Sequence, residues 1–277
     1  MFQRLLVGLD GSAGADAALG AAITLGRRDG ATIVLAAVTE IRLLEAPMFE
    51  AAGPLWTEGM PLAPIASDLR ETLDARAKQL LAEGTERVAE AGLPAETVRA
   101  VGIVDEELLR LAETTDAVVI GRRGELHAHA GKIGAVTTHI IKSALRPVVV
   151  AGDQPSAYER PVVAYDGGET SGHALEAAAR FAAERHLPLD VVHVADDPRD
   201  AAGTLAAASA IAAARGVTPR TFALSGDIAH AVADWVSRNG GDFLVVGVHG
   251  GRGTPWPLGS HAEKIIRATT VPVLVHR

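Results

Sequence analysis

The chain of 277 residues contains no cysteine at all. Disulfides, thiolate catalysis and cysteine-based zinc sites are therefore excluded. Aromatic residues are scarce, at 4 %, so Ala, Val and Leu must fill any core. No apolar run is long enough to span a bilayer, so no membrane partner is expected. Positive charge is also in deficit: the formal net charge is -8 at pH 7. A sequence-independent nucleic-acid binder needs the opposite sign to displace counterions, so no nucleic acid is expected as a direct partner. The opening Met1-Phe2-Gln3-Arg4 reaches a charge too soon for a signal peptide, and the expectation is a cytoplasmic protein.

Apolar residues make up 48 % of the chain, enough for each of two domains to bury a core. Two stretches carry the same order of signals. In the first, the β-branched run Asp116–Ile120 leads into Gly121-Arg122-Arg123-Gly124. Gly131 and Gly134 follow, then a helical stripe of Val136, Ile140, Ile141 and Ala144, then Pro147-Val148-Val149-Val150. In the second, Asp242–Val246 leads into Gly247-Val248-His249-Gly250. Gly259-Ser260, a stripe of Ala262, Ile265 and Ile266, and Pro272-Val273-Leu274-Val275 complete it. A repeat of this kind indicates a duplicated domain. A glycine loop between a strand and a helix N-terminus is also suited to an anion, because backbone N–H groups and the positive dipole end converge there.

The remaining elements alternate. Leu5–Leu9, Thr32–Val38 and Thr97–Val101 read as strands of the first half. Helices follow Asp10-Gly11-Ser12, span Ser67–Ala91, and span Asp105–Thr114. Pro161–Tyr165, Leu189–Val194 and Arg220–Leu224 are the strands of the second half. Its helices carry Leu175 and Ala178, span Ala201–Arg215, and span Ile228–Ser237. This alternation predicts parallel sheets with helices on both faces. Residues 40–66, with Pro47, Pro54, Pro61 and Pro64, read as an irregular insertion: a lid, an interface or a cover. Gly152–Arg160 reads as a polar linker. The expected domains are 1–152 and 160–277.

No P-loop motif occurs, and Gly8, Gly11 and Gly14 miss the dinucleotide fingerprint by their spacing. His127 and His129 form an H-x-H pair with nothing nearby to complete a metal site, so no metal is expected. No nucleophile–base–orienter set stands at recognisable spacing, and no catalytic residue is named.

What the chain does carry is Gly121-x2-Gly124-x9-Gly134, an Asp at the end of the first strand of each half, and closing Pro-Val-x-Val strands. In these features it resembles the universal stress protein family, whose nucleotide motif is G-x2-G-x9-G-[ST]. The resemblance covers both halves apart from the insertion and the linker. It implies an α/β fold of two tandem, doubly wound, five-stranded parallel-sheet domains, Rossmann-like, packed face to face as an internal pseudo-dimer with the closing strands Val148–Val150 and Val273–Val275 paired. It further implies ATP or a related adenine nucleotide at the carboxyl ends of the strands. Asp10 and Asp166 would contact the ribose or adenosine part, and Val38 and Val194 would line the adenine site. Gly121, Gly124 and Gly134, and Gly247, Gly250 and Gly259, would hold phosphates, with Ser260 adding a hydroxyl.

Two departures stand out. Ala135 occupies the hydroxyl position of the first loop, with Thr137 and Thr138 one turn on. Only eight residues separate Gly250 from Gly259, with Pro255 and Pro257 among them. Bland readings compete at single positions. Asp10 and Asp166 suit helix N-caps, Gly121 and Gly247 suit ordinary turns, and Arg122, Arg123 and Lys132 suit solvated surface. The expected function is a nucleotide-responsive stress or regulatory protein. The alternatives are a slow ATP hydrolase, with Mg²⁺ bridging the phosphate oxygens, and a scaffold for protein contacts. Pairing with a second copy as a homodimer is left open.

Overall fold

The computed structural model describes residues 2–42, 62–124, 133–197, 199, 201–248 and 260–277. The first half runs β1 (Arg4–Gly8), α1 (Ala13–Asp29), β2 (Thr32–Glu40), α2 (Leu62–Glu90), β3 (Ala95–Gly102), α3 (Val104–Ala112), β4 (Ala117–Ile120), α4 (Ala135–Ser143) and β5 (Val148–Val150). The second runs β6 (Pro161–Ala164), α5 (Glu169–Arg185), β7 (Asp190–Val194), α6 (Ala201–Ala213), β8 (Arg220–Leu224), α7 (Ile228–Asn239), β9 (Phe243–Gly247), α8 (Ser260–Ala268) and β10 (Val273–His276). The predicted elements recur within a few residues, with one exception. Residues 62–66, read as part of the irregular insertion, already belong to α2. Pro64 misled that reading. It lies in the first turn, where an N–H has no intrahelical partner, so its missing donor costs nothing. The rest of the proline-rich stretch, 43–61, lies outside the described residues.

The strands form one ten-stranded sheet, ordered β3-β2-β1-β4-β5-β10-β9-β6-β7-β8. Every pairing is parallel except β5 with β10, which is antiparallel, with Val150 opposite Val273 and Val148 opposite Val275. The closing strands thus pair, as the resemblance implied. The internal pseudo-dimer is therefore joined edge to edge, not face to face. Each closing strand would otherwise be a bare edge, and pairing removes that liability from both.

Helices cover both faces, so the inner strands β4 and β5 are apolar without interruption, whereas the edge strands β3 and β8 carry exposed polar residues. Along β1, Leu5 and Val7 enter one core cluster and Leu6 the other, the two-residue period of a strand. The first cluster, with Leu19, Ile33, Phe181 and Phe243, crosses the seam through Val149 and Leu274. The second, with Leu108, Ile140, Val246 and Ile265, crosses it through Val148 and Val273. Each face of the sheet therefore has one core shared by both halves.

The duplication extends to single hydrogen bonds. Asp116 accepts from the N–H groups of Gln3 (2.6 Å) and Arg4 (2.9 Å). Asp242 accepts from those of Glu159 (2.9 Å) and Arg160 (2.7 Å). In each half an Asp ahead of the fourth strand thus pins the chain entering the first. The linker is consequently not the free polar segment its composition suggested. Tyr158 is 3 % exposed and packs edge-on against Phe243, ring centroids 4.9 Å apart. Ser156 Oγ donates to the Asp242 carbonyl at 2.6 Å. A second tie spans the seam. Arg185, closing α5, donates to both oxygens of Asp29, closing α1 (2.8 and 2.7 Å), and lies 4.1 Å over the Phe181 ring.

Candidate functional site

The strand order reverses beside β1, which lies between β2 and β4. In open α/β sheets, ligands collect in the crevice outside the carboxyl ends of the strands at such a switch point. A cleft of about 690 Å³ opens there in the first half. That is within the range of small-molecule sites. It takes in Asp10, Val38, Gly121, Gly124, Gly134 and Ala135, every site residue named for this half.

The loop after β1 is shaped by Gly11, whose φ of +84° suits glycine. Asp10 Oδ1 accepts from the Ser12 N–H at 2.9 Å, and Ser12 in turn caps α1 by accepting from Ala15 N at 3.1 Å. The N-cap is Ser12, so the capping reading of Asp10 does not hold. The loop after β4 passes so close to α1 that side chains are barred. A Cβ on Gly121 would lie 2.4 Å from the Gly14 carbonyl carbon and oxygen. One on Gly14 would lie 2.0 Å from the Arg123 carbonyl oxygen, and one on Gly124 2.7 Å from Asp10 Oδ2. Gly121 is thus a close-approach glycine, not a turn glycine, since its φ is not positive. Gly14 belongs to this contact as well. The glycine spacing that failed as a dinucleotide fingerprint has a packing role here.

The loop closes on α4. Gly134 N–H donates to the Arg122 carbonyl at 2.8 Å, and Thr137 Oγ1 donates to the Gly121 carbonyl at 2.8 Å. The Thr137 hydroxyl is 2 % exposed at residue level and committed to this contact, so it does not replace the hydroxyl missing at Ala135. Gly134 is the N-cap of α4 and no side chain caps the helix. Its first turn, Ala135 to Thr137, faces the cleft with the positive end of the dipole.

The cleft also holds charged groups that spacing did not reveal. Arg76, on α2, donates to the Asp10 carbonyl at 3.0 Å. Arg42 pairs with Glu40 at 2.8 Å. Burial pushes the Glu40 carboxyl up, but hydrogen bonds from Arg42 and the charge beside it outweigh burial and hold it below its ordinary value. His139 Nδ1 lies 3.0 Å from Asp105 Oδ2. Arg123 lines the cleft, whereas Arg122 does not. Arg122, expected on the solvated surface, turns away into the seam between the halves, with 10 % of its side chain exposed.

The second half repeats the frame with different chemistry. Gly167 has a φ of +86°, and Asp166 Oδ1 accepts from the Gly168 N–H at 2.8 Å. Gly168 is the N-cap of α5, so Asp166 is not. A Cβ on Gly247 would meet the Ser171 amide nitrogen at 2.6 Å, so this glycine too marks a close approach. Here, however, Ser171 Oγ donates to Asp166 Oδ1 at 2.5 Å. Thr204 approaches Gly167 where Arg76 approaches Gly11. Val194 ends β7, as expected. Gly250, Gly259, His127, His129, Lys132, His249, Pro255 and Pro257 lie outside the described residues. Ser260 opens α8.

The sequence model of the universal stress protein family matches residues 1–152 and 157–277. The chain belongs to the universal stress protein family. A universal stress protein of Synechocystis sp. is 28 % identical over 207 residues, spanning 73 % of this chain and 72 % of that protein. The universal stress protein YxiE of Bacillus subtilis is 27 % identical over 150 residues, 43 % of this chain and 99 % of that one. The crystal structure of a universal stress protein from Archaeoglobus fulgidus shares the fold. Its TM-score is 0.77 at 20 % identity, over 98 % of this chain and 95 % of that one. The tandem, largely parallel α/β architecture is therefore the family's fold. Among the described residues, no helix is long and apolar enough to cross a membrane.

Proposed function

We propose that the cleft of the first half binds an adenine nucleotide, ATP or a relative, and that the protein is a nucleotide-responsive stress or regulatory protein. We place its two units at 1–152 and 160–277. One observation carries the reading. Asp10, Val38 and the three glycines of the first loop converge on one cleft of about 690 Å³ at the switch point. At Gly121 and Gly124 the loop packs on Gly14 and Asp10 without side chains, which leaves its backbone beside the start of α4, where a phosphate would lie. The uncapped N-terminus of α4 and Arg123 supply donors and positive charge beside it. Asp10, whose Oδ1 accepts from the Ser12 N–H, lines the same cleft at the carboxyl end of β1, where the ribose would lie.

The second half supports a weaker site, because the oxygen of Asp166 that meets the turn is also taken by Ser171. A second reading, slow ATP hydrolysis, is favoured by the Asp105–His139 pair, a base held by a carboxylate on the wall of the same cleft. Mg²⁺ bound with the nucleotide would neutralise phosphate charge, and a positioned water would be the remaining requirement. The test is calorimetry of purified protein with ATP, ADP and AMP, with ADP release followed in the same samples. Absence of heat at protein concentrations well above micromolar sinks the binding reading. Binding without ADP release sinks the hydrolase.

A further inference from the structure

Arg122 stands inside the first glycine loop, between two residues that line the cleft, yet its side chain leaves the cleft and crosses the seam. Its Nε donates to the Ala151 carbonyl at 3.1 Å and its Nη2 to the Val271 carbonyl at 2.9 Å. Its Nη1 donates to the Ile266 carbonyl, and Asp153 Oδ1 lies 3.6 Å from Nε. One planar guanidinium thus joins the exit of β5, the last turn of α8 and the approach to β10. The fork of donors in fixed geometry suits this task, where a lysine would offer a point charge. Ile266 is among the last carbonyls of α8, which have no intrahelical donor, and a cation is favoured at that end of the dipole.

The backbone of Arg122 is held as firmly as its side chain. Its carbonyl accepts from Gly134 N–H, the N-cap residue of α4. The contact path therefore runs from the second half, through Arg122, to both the glycine loop and the helix end that form the phosphate cradle. Among the described residues, nothing equivalent runs the other way. The residue matching Arg122 in the second loop is Val248, which is buried and has no side-chain donor.

We infer that Arg122 is a positioning residue that anchors the phosphate cradle of the first half on the second half, so that the first site is a composite of both. The inference rests on the nucleotide reading of the cleft. It adds that the phosphate end, and not the nucleoside end, depends on the seam. It also makes α8 a shared element, since that helix opens at Ser260 in the second glycine loop and closes on Arg122.

The experiment uses the full chain with Arg122→Met, which keeps an unbranched apolar stem and removes every side-chain donor, and Arg122→Lys, which keeps the charge should the first variant fold poorly. Calorimetry with ATP and with adenosine is paired with hydrogen exchange over residues 121–124 and 260–268 in the ligand-free proteins. Losing a preorganised cradle should weaken ATP about tenfold and leave adenosine within about twofold, with lysine intermediate. Exchange should quicken in both segments. Equal weakening of ATP and adenosine, or unchanged ATP affinity, overturns the role in phosphate binding. Unchanged exchange in either segment overturns the anchor itself. If the wild-type protein binds neither ligand, the nucleotide reading fails and with it the role in binding, and the exchange data alone decide the anchor.

Discussion

Two glycines of α1 should respond to the same substitution with opposite signs. Gly20 lies in the helix interior, and a Cβ there meets nothing within 4 Å. Gly20→Ala should therefore show the helix-propensity gain alone, up to about 1 kcal/mol. Gly14 lies in the first turn, and a Cβ there falls 2.0 Å from the Arg123 carbonyl oxygen. Ordinary carbon–oxygen contact is about 3.3 Å, so the loop after β4 must withdraw by about 1 Å. No rotamer relieves the clash, because both partners are backbone. Overpacking costs of about 1–3 kcal/mol apply, and the propensity gain offsets only part. For a chain of this size, each kcal/mol moves the melting temperature by roughly 2–4 °C. Gly20→Ala should thus melt a few degrees higher than wild type and Gly14→Ala several degrees lower, by calorimetry under identical conditions. Moving Arg123 also moves Gly124 beside it, so Gly14→Ala should weaken ATP while Gly20→Ala leaves it unchanged. If Gly14→Ala melts at or above Gly20→Ala, the close-approach account of the glycine loop is wrong.

Three further outcomes are expected. Gly124→Val, whose side chain would be driven onto Asp10, should remove the tighter nucleotide binding in a titration, while Gly250→Val leaves it; the reverse result would show that the Ser260 hydroxyl outweighs loop length. Asp29→Ala breaks the pair with Arg185, whose side chain is 4 % exposed, and should cost about 3 kcal/mol at neutral pH. Burial pushes the Asp29 carboxyl up, but the Phe2 N–H and Arg185 bring it net below its ordinary value. Its contribution is therefore present above the ordinary carboxylate pKa and is lost as pH falls through the depressed folded value, so denaturant melts should show the gap to wild type closing only in acid. A gap independent of pH would contradict this. Finally, burial, with the Asp242 charge beside it, raises the Tyr158 phenol above its ordinary pKa, and its buried hydroxyl has no hydrogen-bond partner among the described residues. Tyr158→Phe should be neutral or stabilising by up to about 1 kcal/mol, because an orphaned polar group is removed; a clear loss of stability in melts would reveal a partner for that hydroxyl.

Much of this protein follows from its sequence alone. The apolar strand runs, the helical stripes between them and their repetition determined the tandem α/β fold, because burial on both faces of a parallel sheet imprints itself residue by residue. The first cleft was legible too. Asp10, Val38, Gly121, Gly124, Gly134 and Ala135 all meet there, since each stands at the end of a strand or the start of a helix, and alternation brings those ends to one side of the sheet. What the tertiary structure decided concerns partners distant in the chain. Val148–Val150 and Val273–Val275 are as apolar for face-to-face packing as for edge pairing, and only the sheet shows the edge. Gly14 and Gly20 lie on the same helix, and only the fold shows that a loop crosses in front of Gly14. Arg122 and Arg123 are adjacent and alike in sequence, yet one lines the cleft and the other binds carbonyls of the second half. Tyr158, in a polar linker, is buried because Phe243 lies against it. Periodicity reports that a residue is covered, and composition reports its chemistry. Which surface covers it depends on contacts from dozens to more than a hundred residues away, and those exist only once the chain has folded.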